Sequence, residues 1–348
     1  MQHYTFPYTE VFHCTAGDCP DSCCKGWEIV IDHKTLQTYQ QTCSPIGETI
    51  RSTLTKNEDD EWMFQNREDG NCPFWNKEKL CDLQIQAGES LLCDTCRQFP
   101  RIPQDYTLFT EHVLSLACPE AARLVLTQTE PFQAIPLTQA EPSEPINEAE
   151  LPYSLNWMNC LLETRAVLLQ LFQETSIPLA EALCYGLHYV QQFQDWIEEK
   201  TDDFPELQPI PSKPVFLHHE SVQHLYDTLE WMTPVWADWM QQIQQHPVTD
   251  ADLQAFVKIA EPWIPAFRNF CSYYLYLYWL QALNTGNALI QYQKLLTALH
   301  EIAIVSAWKL RETHTYTLTD CMIIVQRYAK EVMHDAETVS YTHLRAHE

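Results

Sequence analysis

The chain has 348 residues, of which 45% are hydrophobic, and its 21 basic and 47 acidic residues give a net charge of −26. A chain of this length and composition buries enough apolar surface for two domains, which excludes an intrinsically disordered protein. Its negative field repels phosphate backbones and anionic lipid headgroups, so we expect neither nucleic acid nor a membrane as a partner.

The beginning of the chain carries no targeting signal that we can recognise. The first ten residues, M-Q-H-Y-T-F-P-Y-T-E, contain neither a basic segment nor an apolar run. The most apolar run, 270–283, is too short to span a bilayer and predicts a buried helix. We therefore expect a cytoplasmic protein, in which thiols stay reduced.

A cysteine-rich segment at 14–24, C-T-A-G-D-C-P-D-S-C-C, is the first notable feature of the sequence. Such a loop buries little apolar surface, so either disulfides or a metal centre must hold it, and a reducing compartment favours the metal. Nine cysteines of the first third of the chain lie in or beside such motif-like blocks: Cys14, Cys19, Cys23, Cys24, Cys72, Cys81, Cys93, Cys96 and Cys118.

Between these cysteines the predicted elements are short. The alternating residues 27–31 predict a strand, and Asp32 is suited to cap a helix that follows it. The polar segment 57–70 predicts a solvated loop, 106–116 predicts a strand, and 119–126 predicts a short helix. Together they indicate a small irregular α+β domain over residues 1–126.

The rest of the chain changes in composition. Residues 127–152 are acidic and rich in proline, which predicts a linker. Apolar residues then recur at three- and four-residue steps through 153–338, which predicts a helical domain and a mainly α protein. Residues 339–348, V-S-Y-T-H-L-R-A-H-E, lack helical or strand periodicity. They resemble a translated sequencing adaptor, which predicts a non-native tail.

The cysteine spacing bears on the kind of metal centre. Only Cys93-x2-Cys96 has the form of a zinc knuckle. The uneven spacing of the others is better suited to an iron–sulfur cluster gathered from several loops. A zinc-stapled domain without a catalytic role is the alternative, and a redox sensor based on Cys93 and Cys96 is a third possibility, although it lacks a βαβ context.

Four sequence blocks resemble, in order, the flagellin lysine N-methylases. They are C-x4-C-P-D-S-C-C-K-G-W-x-I-x-I-D at 14–32, N-C-P-F-W…L-C-D-L-Q at 71–84, G-E-S-L-L-C-D-T-C-R-Q-F-P-R at 88–101 and L-S-L-A-C-P-E-A-A-R-L at 114–124. The portion C-P-F…C…C-R-x-F-P is also similar to a broader group of zinc- or iron-chelating cysteine-cluster proteins. The helical half resembles the family only loosely.

The resemblance implies transfer of a methyl group from S-adenosylmethionine to lysines of flagellin, in a protein that carries a 4Fe-4S cluster. It implies Cys23, Cys72, Cys81 and Cys96 as the metal ligands, because these also match the broader chelating pattern. The alternates are Cys24, Cys19, Cys14, Cys93 and Cys118. The alternative function is a non-enzymatic zinc- or iron-chelating module.

The methyl acceptor must be a neutral lysine, so a site needs a base or a desolvating pocket. The sequence contains neither G-x-G-x-x-G nor a C-x3-C-x2-C motif, so S-adenosylmethionine must bind in another way. The candidates for a catalytic role are Trp27, Asp32 and Arg97, and those for cofactor contact are Arg268, Tyr273 and Tyr276. Each of these residues also has a purely structural alternative, as a core residue, a helix cap or a member of a surface ion pair.

Overall fold

The computed structural model describes residues 2–26, 28–137, 151–208, 231 and 233–333. Short strands and helices joined by long loops form the first part, and the rest of the described chain is helical. The predicted mainly α class, with a small α+β part at the N-terminus, is confirmed. None of the described helices combines the length and the apolar character that crossing a membrane would need.

The N-terminal elements alternate between the two types. In chain order they are β1 (Gln2–Thr5), α1 (Pro7–Glu10), α2 (His33–Gln41), α3 (Pro45–Thr53), β2 (Leu54–Lys56), β3 (Trp62–Phe64), α4 (Asp82–Ala87), α5 (Asp94–Gln98), β4 (Arg101–Asp105), β5 (Phe109–Leu114), α6 (Pro119–Leu126) and β6 (Ile135–Pro136). The predicted short helix at 119–126 is therefore confirmed.

Further helices follow, most of them longer. They are α7 (Leu155–Gln173), α8 (Leu179–Ile197), α9 (Pro234–Gln245), α10 (Asp250–Ile259), α11 (Ile264–Tyr278), α12 (Ala282–Thr285), α13 (Ala288–Thr313) and α14 (Leu318–Tyr328), and α14 continues into a π-helical turn, Ala329–Met333. Apolar residues spaced three and four positions apart favour these helices, because this spacing places one apolar face of each helix on the core. Residues 138–150 of the predicted linker and the whole predicted tail, 339–348, lie outside the described residues.

One sheet has the strand order β4-β5-β1-β6. β1 runs parallel to β5, with Gln2 opposite Phe109, and β4 is antiparallel to β5, with Arg101 opposite Leu114. β5 confirms the strand predicted at 106–116, whereas β4 was not predicted. Pro103 obscures β4 in the sequence, but β4 is an edge strand, where proline is tolerated.

Two sequence predictions about the smaller strands were wrong. Segment 57–70 was expected to be a loop, but its residues 62–64 pair with β2 as strand β3, because Met63 and Phe64 are buried. Segment 27–31 was expected to be a strand, but among its described residues only Val30 pairs, through one bridge to Met63. Its alternation still buries Ile29 and Ile31.

The buried apolar side chains form two clusters. The smaller cluster underlies the cysteine-rich loops: Ile29, Ile31, Leu36, Tyr39, Ile50, Phe64, Cys72, Phe74, Leu83, Leu91, Leu92 and Cys93. The larger cluster joins Phe6, Leu114 and Val125 to the long helices. The large sheet and α6 therefore pack on the helical part, and the predicted boundary between residues 126 and 127 stays a prediction.

A buried ion pair connects the sheet to the helices. Glu111 on β5 accepts two hydrogen bonds from Arg165 on α7, 2.8 Å from Nη1 to Oε2 and 2.6 Å from Nη2 to Oε1. Their side chains are only 4% and 6% exposed. The guanidinium carbon also lies 4.5 Å from the centroid of the Tyr276 ring. Because both charges are desolvated, each depends on the other.

We expect Arg165→Met to lower the free energy of unfolding by about 3–5 kcal/mol, because it leaves Glu111 charged and buried without its partner. Chemical denaturation measures this change. The matched control is Arg123→Met, which removes an ion pair on α6 in which Arg123 is half exposed, and it should cost no more than about 1 kcal/mol. Equal effects of the two variants would contradict this account.

Candidate metal centre

Six thiols of the N-terminal part lie close to one another. We call Cys23, Cys24, Cys72, Cys81, Cys93 and Cys96 the cysteine group. A hydrogen bond to Cys24 raises the pKa of Cys23, and a hydrogen bond from Cys24 lowers the pKa of Cys72. Cys96 is hydrogen-bonded to Cys93, which raises the pKa of Cys96 and lowers that of Cys93. The charges of Cys72 and Cys24 further raise the pKa of Cys96, which links the two sets.

Main-chain hydrogen bonds hold the loops that carry these thiols. The Cys72 amide donates to the Cys24 carbonyl at 2.8 Å, which joins the first cysteine segment to the second. Trp75 and Cys81 form an isolated antiparallel bridge, and the Asp82 amide donates to the Phe74 carbonyl at 2.8 Å. The segment from Cys72 to Cys81 therefore folds back on itself and presents both of its thiols to the same group.

Asp32 fixes the third segment. One carboxylate oxygen accepts a hydrogen bond from the Thr35 amide at 2.8 Å, as the N-cap of α2. The other accepts from the Asp94 amide at 2.9 Å, at the start of α5. These bonds lower the pKa of Asp32 even though burial opposes them. A single carboxylate thus holds two helix starts together and fixes the start of α5, next to Cys93.

Three cysteines occupy helix N-termini. Cys81, Cys93 and Cys118 are the N-cap residues of α4, α5 and α6. Burial raises the pKa of the Cys81 thiol, but the amides of Gln84 and Leu83 act in the opposite direction. Amides and the dipole of a helix start stabilise a thiolate, which is the form that binds a metal.

A second, smaller set of thiols consists of Cys14, Cys19 and Cys118. Burial raises the pKa of Cys118 to about 11, and the neighbouring Cys19 and Cys14 add to this effect. Burial likewise raises the pKa of Cys19, against a hydrogen bond from the Asp21 amide. The sequence grouped these three with the alternates, and the structure places them together, next to the loop that leads to Cys23.

Within the described residues, no three His, Cys, Asp or Glu side chains are arranged to hold a single metal ion. Five thiols of the cysteine group are instead joined by hydrogen bonds, which link Cys23 to Cys24, Cys24 to Cys72, and Cys96 to Cys93. An iron–sulfur cluster is wider than one ion, so its thiolate ligands lie further apart than those of zinc. Side-chain rotation about χ1 between staggered positions would redirect the sulfurs without moving the main chain.

The predicted catalytic residues have ordinary contacts where they are described. Trp27 lies outside the described residues. Asp32 has the helix-capping contacts given above. Arg97 donates to Asp94 at 2.7 Å and to the Leu92 carbonyl at 2.5 Å, so its guanidinium braces the turn around Cys93. Their catalytic roles stay predictions.

The predicted cofactor-contacting residues lie in the larger apolar cluster, in the helical part. Arg268 is 7% exposed and donates to the main-chain carbonyls of Phe172 and Ile177. Tyr276 lies under the Arg165 guanidinium, and its hydroxyl accepts from the Ala134 amide at 3.3 Å. Tyr273 is completely buried. These are the contacts of core residues, and the role in cofactor binding stays a prediction.

Comparison with known proteins adds an independent line of support. Over 120 residues, 33% of this chain, the sequence is 34% identical to the flagellar biosynthetic protein FliU of Salmonella muenchen, and the match covers 71% of that protein. The chain belongs to the flagellin lysine N-methylase family. The lysine-N-methylases of Salmonella typhimurium strain LT2 and Salmonella choleraesuis strain SC-B67 are likewise 34% identical over 120 residues.

The match to these two lysine-N-methylases spans only 30% of their length. No protein-family model and no solved structure matches the chain. The family resemblance read from the sequence is thereby confirmed, while the activity and the substrate are matters for a proposal.

Sequence reasoning missed two residues beside the cysteine group of this methylase-family chain. Asp21, inside the block C-P-D-S-C-C, contacts Gln326 and Lys330 near the far end of the described chain. Trp75, in the block N-C-P-F-W, has a buried indole Nε1 without a hydrogen-bond partner in the described structure. Both lie in the cysteine-containing blocks, and their position close to those cysteines in the sequence could have indicated that they contribute to the site.

We expect Asp32→Ala to lower the free energy of unfolding by about 1–2 kcal/mol, because it removes the cap of α2 and an acceptor for α5. Hydrogen exchange should become faster at both the Thr35 and the Asp94 amides. Asp59→Ala, an exposed carboxylate on the turn between β2 and β3, is the control. Faster exchange at Thr35 alone would show that the bridge to α5 is unimportant.

Proposed function

We propose that this chain is a protein lysine N-methyltransferase that acts on flagellin in the cytoplasm before export. S-adenosylmethionine is the methyl donor, and a 4Fe-4S cluster is held by the cysteine group. The observation that carries the proposal is the meeting of six thiols from separate loops in a chain of the flagellin lysine N-methylase family. Membership of that family supports the reaction, and the thiols support the cluster.

The cysteine group fits the proposed cluster in its donor chemistry. Thiolates are the protein ligands of 4Fe-4S clusters, and the group contains more than the four that are needed. Cys23, Cys72, Cys81 and Cys96 are the proposed ligands. Cys24 and Cys93 are hydrogen-bonded to Cys23 and Cys96 and are the first alternates.

Trp75 is a second point of fit. Its main chain pairs with Cys81 and its buried indole Nε1 has no hydrogen-bond partner in the described structure. A buried donor without an acceptor is costly, so a native protein provides one. A sulfide or a thiolate of the cluster would be such an acceptor, and hydrogen bonds to sulfur are among the factors that set the reduction potential of a cluster.

The reaction balances without any further reactant. The neutral lysine amine attacks the methyl carbon of the sulfonium, a C–N bond forms, the C–S bond breaks, and S-adenosylhomocysteine leaves. The amine must first lose its proton to a base or to water. When bound, the cluster supplies positively polarised iron atoms that can coordinate oxygen or nitrogen groups. The net charge of −26 favours the approach of a lysine-bearing segment.

The first test concerns the metal. We expect anaerobically purified protein to be brown and to contain iron, and we expect Ala at Cys23, Cys72, Cys81 or Cys96 to lower the iron content per chain. Loss of a ligand removes a bond to the cluster, whereas Cys43→Ala, an exposed thiol outside both cysteine sets, should change nothing. Undiminished iron in all four variants would exclude this ligand set. Colourless protein with bound zinc would favour the chelating module without enzymatic activity.

The second test concerns the reaction. Co-expression with a flagellin should add methyl groups to flagellin lysines, detected by mass spectrometry of the intact protein and of its peptides. A variant that has lost the cluster should give unmodified flagellin, whereas Cys43→Ala should match the unchanged chain. Iron-loaded protein that leaves flagellin unmodified would contradict the proposed substrate and leave the metal site intact.

A further inference from the structure

A buried lysine near the end of the described chain holds the loop that carries Cys23. Lys330 is 1% exposed, and its Nζ lies 3.0 Å from an Asp21 carboxylate oxygen and 3.3 Å from the Ser22 carbonyl oxygen. Asp21 and Ser22 directly precede Cys23. A buried ammonium is tolerated only when it is paired and hydrogen-bonded. The loop supplies this pairing, so loop and lysine stabilise each other.

Gln326, on the preceding turn, adds a second connection. Its Nε2 donates to the same Asp21 oxygen at 3.2 Å and to the Ala117 carbonyl at 2.9 Å. Ala117 precedes Cys118, whose thiol belongs to the smaller thiol set. The Gln326 side-chain amide therefore joins the loop before Cys23 to the start of α6. Both thiol sets are in this way connected to α14.

The helix end that carries Lys330 is itself firmly held. Residues Ala329–Met333 form a π-helical turn in which all five are buried. The Tyr278 hydroxyl donates to the Met333 carbonyl at 2.6 Å, and the Thr233 hydroxyl donates to the Glu331 carboxylate. Single π turns occur mostly within α-helices and are frequent at functional sites. The position of Lys330 is thus set by α11 and by the residue before α9.

We propose that Lys330 and Gln326 are positioning residues that hold the Asp21–Cys24 loop so that Cys23 faces the other thiols of the cysteine group. The ammonium of Lys330 also places a positive charge beside the proposed cluster. That Cys23 is a cluster ligand rests on the proposed function, whereas the positioning of the loop by Lys330 and Gln326 does not. The helical part of the chain is therefore required to build the metal site.

The hold on the loop can be tested in reduced, metal-free protein. We expect Lys330→Met to accelerate hydrogen exchange in the peptide 19–24 by about tenfold, because a local opening of the loop becomes easier. Exchange in 93–98 and in α7 should stay unchanged. Lys56→Met is the control, since it removes an ion pair with Asp60 that is exposed and in the same half of the chain. Unchanged exchange in 19–24 would overturn the proposal.

A second set of variants covers the case in which Lys330→Met fails to fold. The double variant Asp21→Asn, Lys330→Met removes both charges of the Asp21–Lys330 pair, and Gln326→Leu removes only the amide. Both should accelerate exchange in 19–24, and Gln326→Leu should also do so in 117–122, where Ala117 loses its donor. Protection of these peptides equal to that of the unchanged chain would likewise overturn the proposal.

The charge of Lys330 is tested in iron-loaded protein. Lys330→Met should lower the reduction potential of the cluster, because it removes a positive charge, and Lys330→Arg should restore it. A purely structural role predicts no such restoration at equal iron content, and an unshifted potential would refute the electrostatic part. If the unchanged chain takes up no iron, the proposed function fails, while the exchange experiment still decides whether Lys330 holds the loop.

Discussion

The architecture of the N-terminal part depends on holding sulfur-bearing loops together over a small apolar cluster. Loops with this composition bury too little surface to order themselves, so specific hydrogen bonds do most of the positioning. The bond from the Cys72 amide to the Cys24 carbonyl aligns two loops, and the Asp32 carboxylate aligns a third by accepting from Thr35 and Asp94. These bonds set the positions of the loops that carry the thiols.

Among the described residues, the Glu111–Arg165 and Asp21–Lys330 pairs both join this part to the helices, and they differ in what they connect. Glu111 and Arg165 join the large sheet to α7 within the larger apolar cluster, away from the smaller cluster under the cysteine loops. Asp21 and Lys330 join the Cys23 loop to the π turn. Buried pairs contribute little net stability compared with apolar packing, but they penalise any arrangement that separates them. Here that penalty selects one relative placement of loop and helix.

How much of this structure the sequence could predict depends on how far apart in the chain the interacting residues are. The helix at 119–126 and the long helices follow from local apolar periodicity, and the Asp32 cap follows from its place before α2. The strands β4 and β3 were missed because their pairing depends on distant partners, with Pro103 tolerated only at a sheet edge. The cysteine blocks predicted the candidate ligands, and the structure brings six of these thiols together. Nothing local connects Asp21 to Lys330, since neither periodicity nor spacing relates residues that are 309 positions apart.

The pairing of thiols within the cysteine group would explain why the group contains more sulfurs than the proposed cluster needs. Cys23 with Cys24, and Cys96 with Cys93, are each hydrogen-bonded partners. In the described structure Cys23 donates to Cys24 and Cys96 donates to Cys93. If Cys23 or Cys96 bound iron as a thiolate, the S–H of its partner would have to become the donor to that sulfur. Donors to ligand sulfurs withdraw charge from the cluster and tune its potential, as other outer contacts of metal ligands do. On the proposed function, Ala at a ligand would remove a bond to iron, whereas Ala at its partner would change the electronic character of a bond that remains.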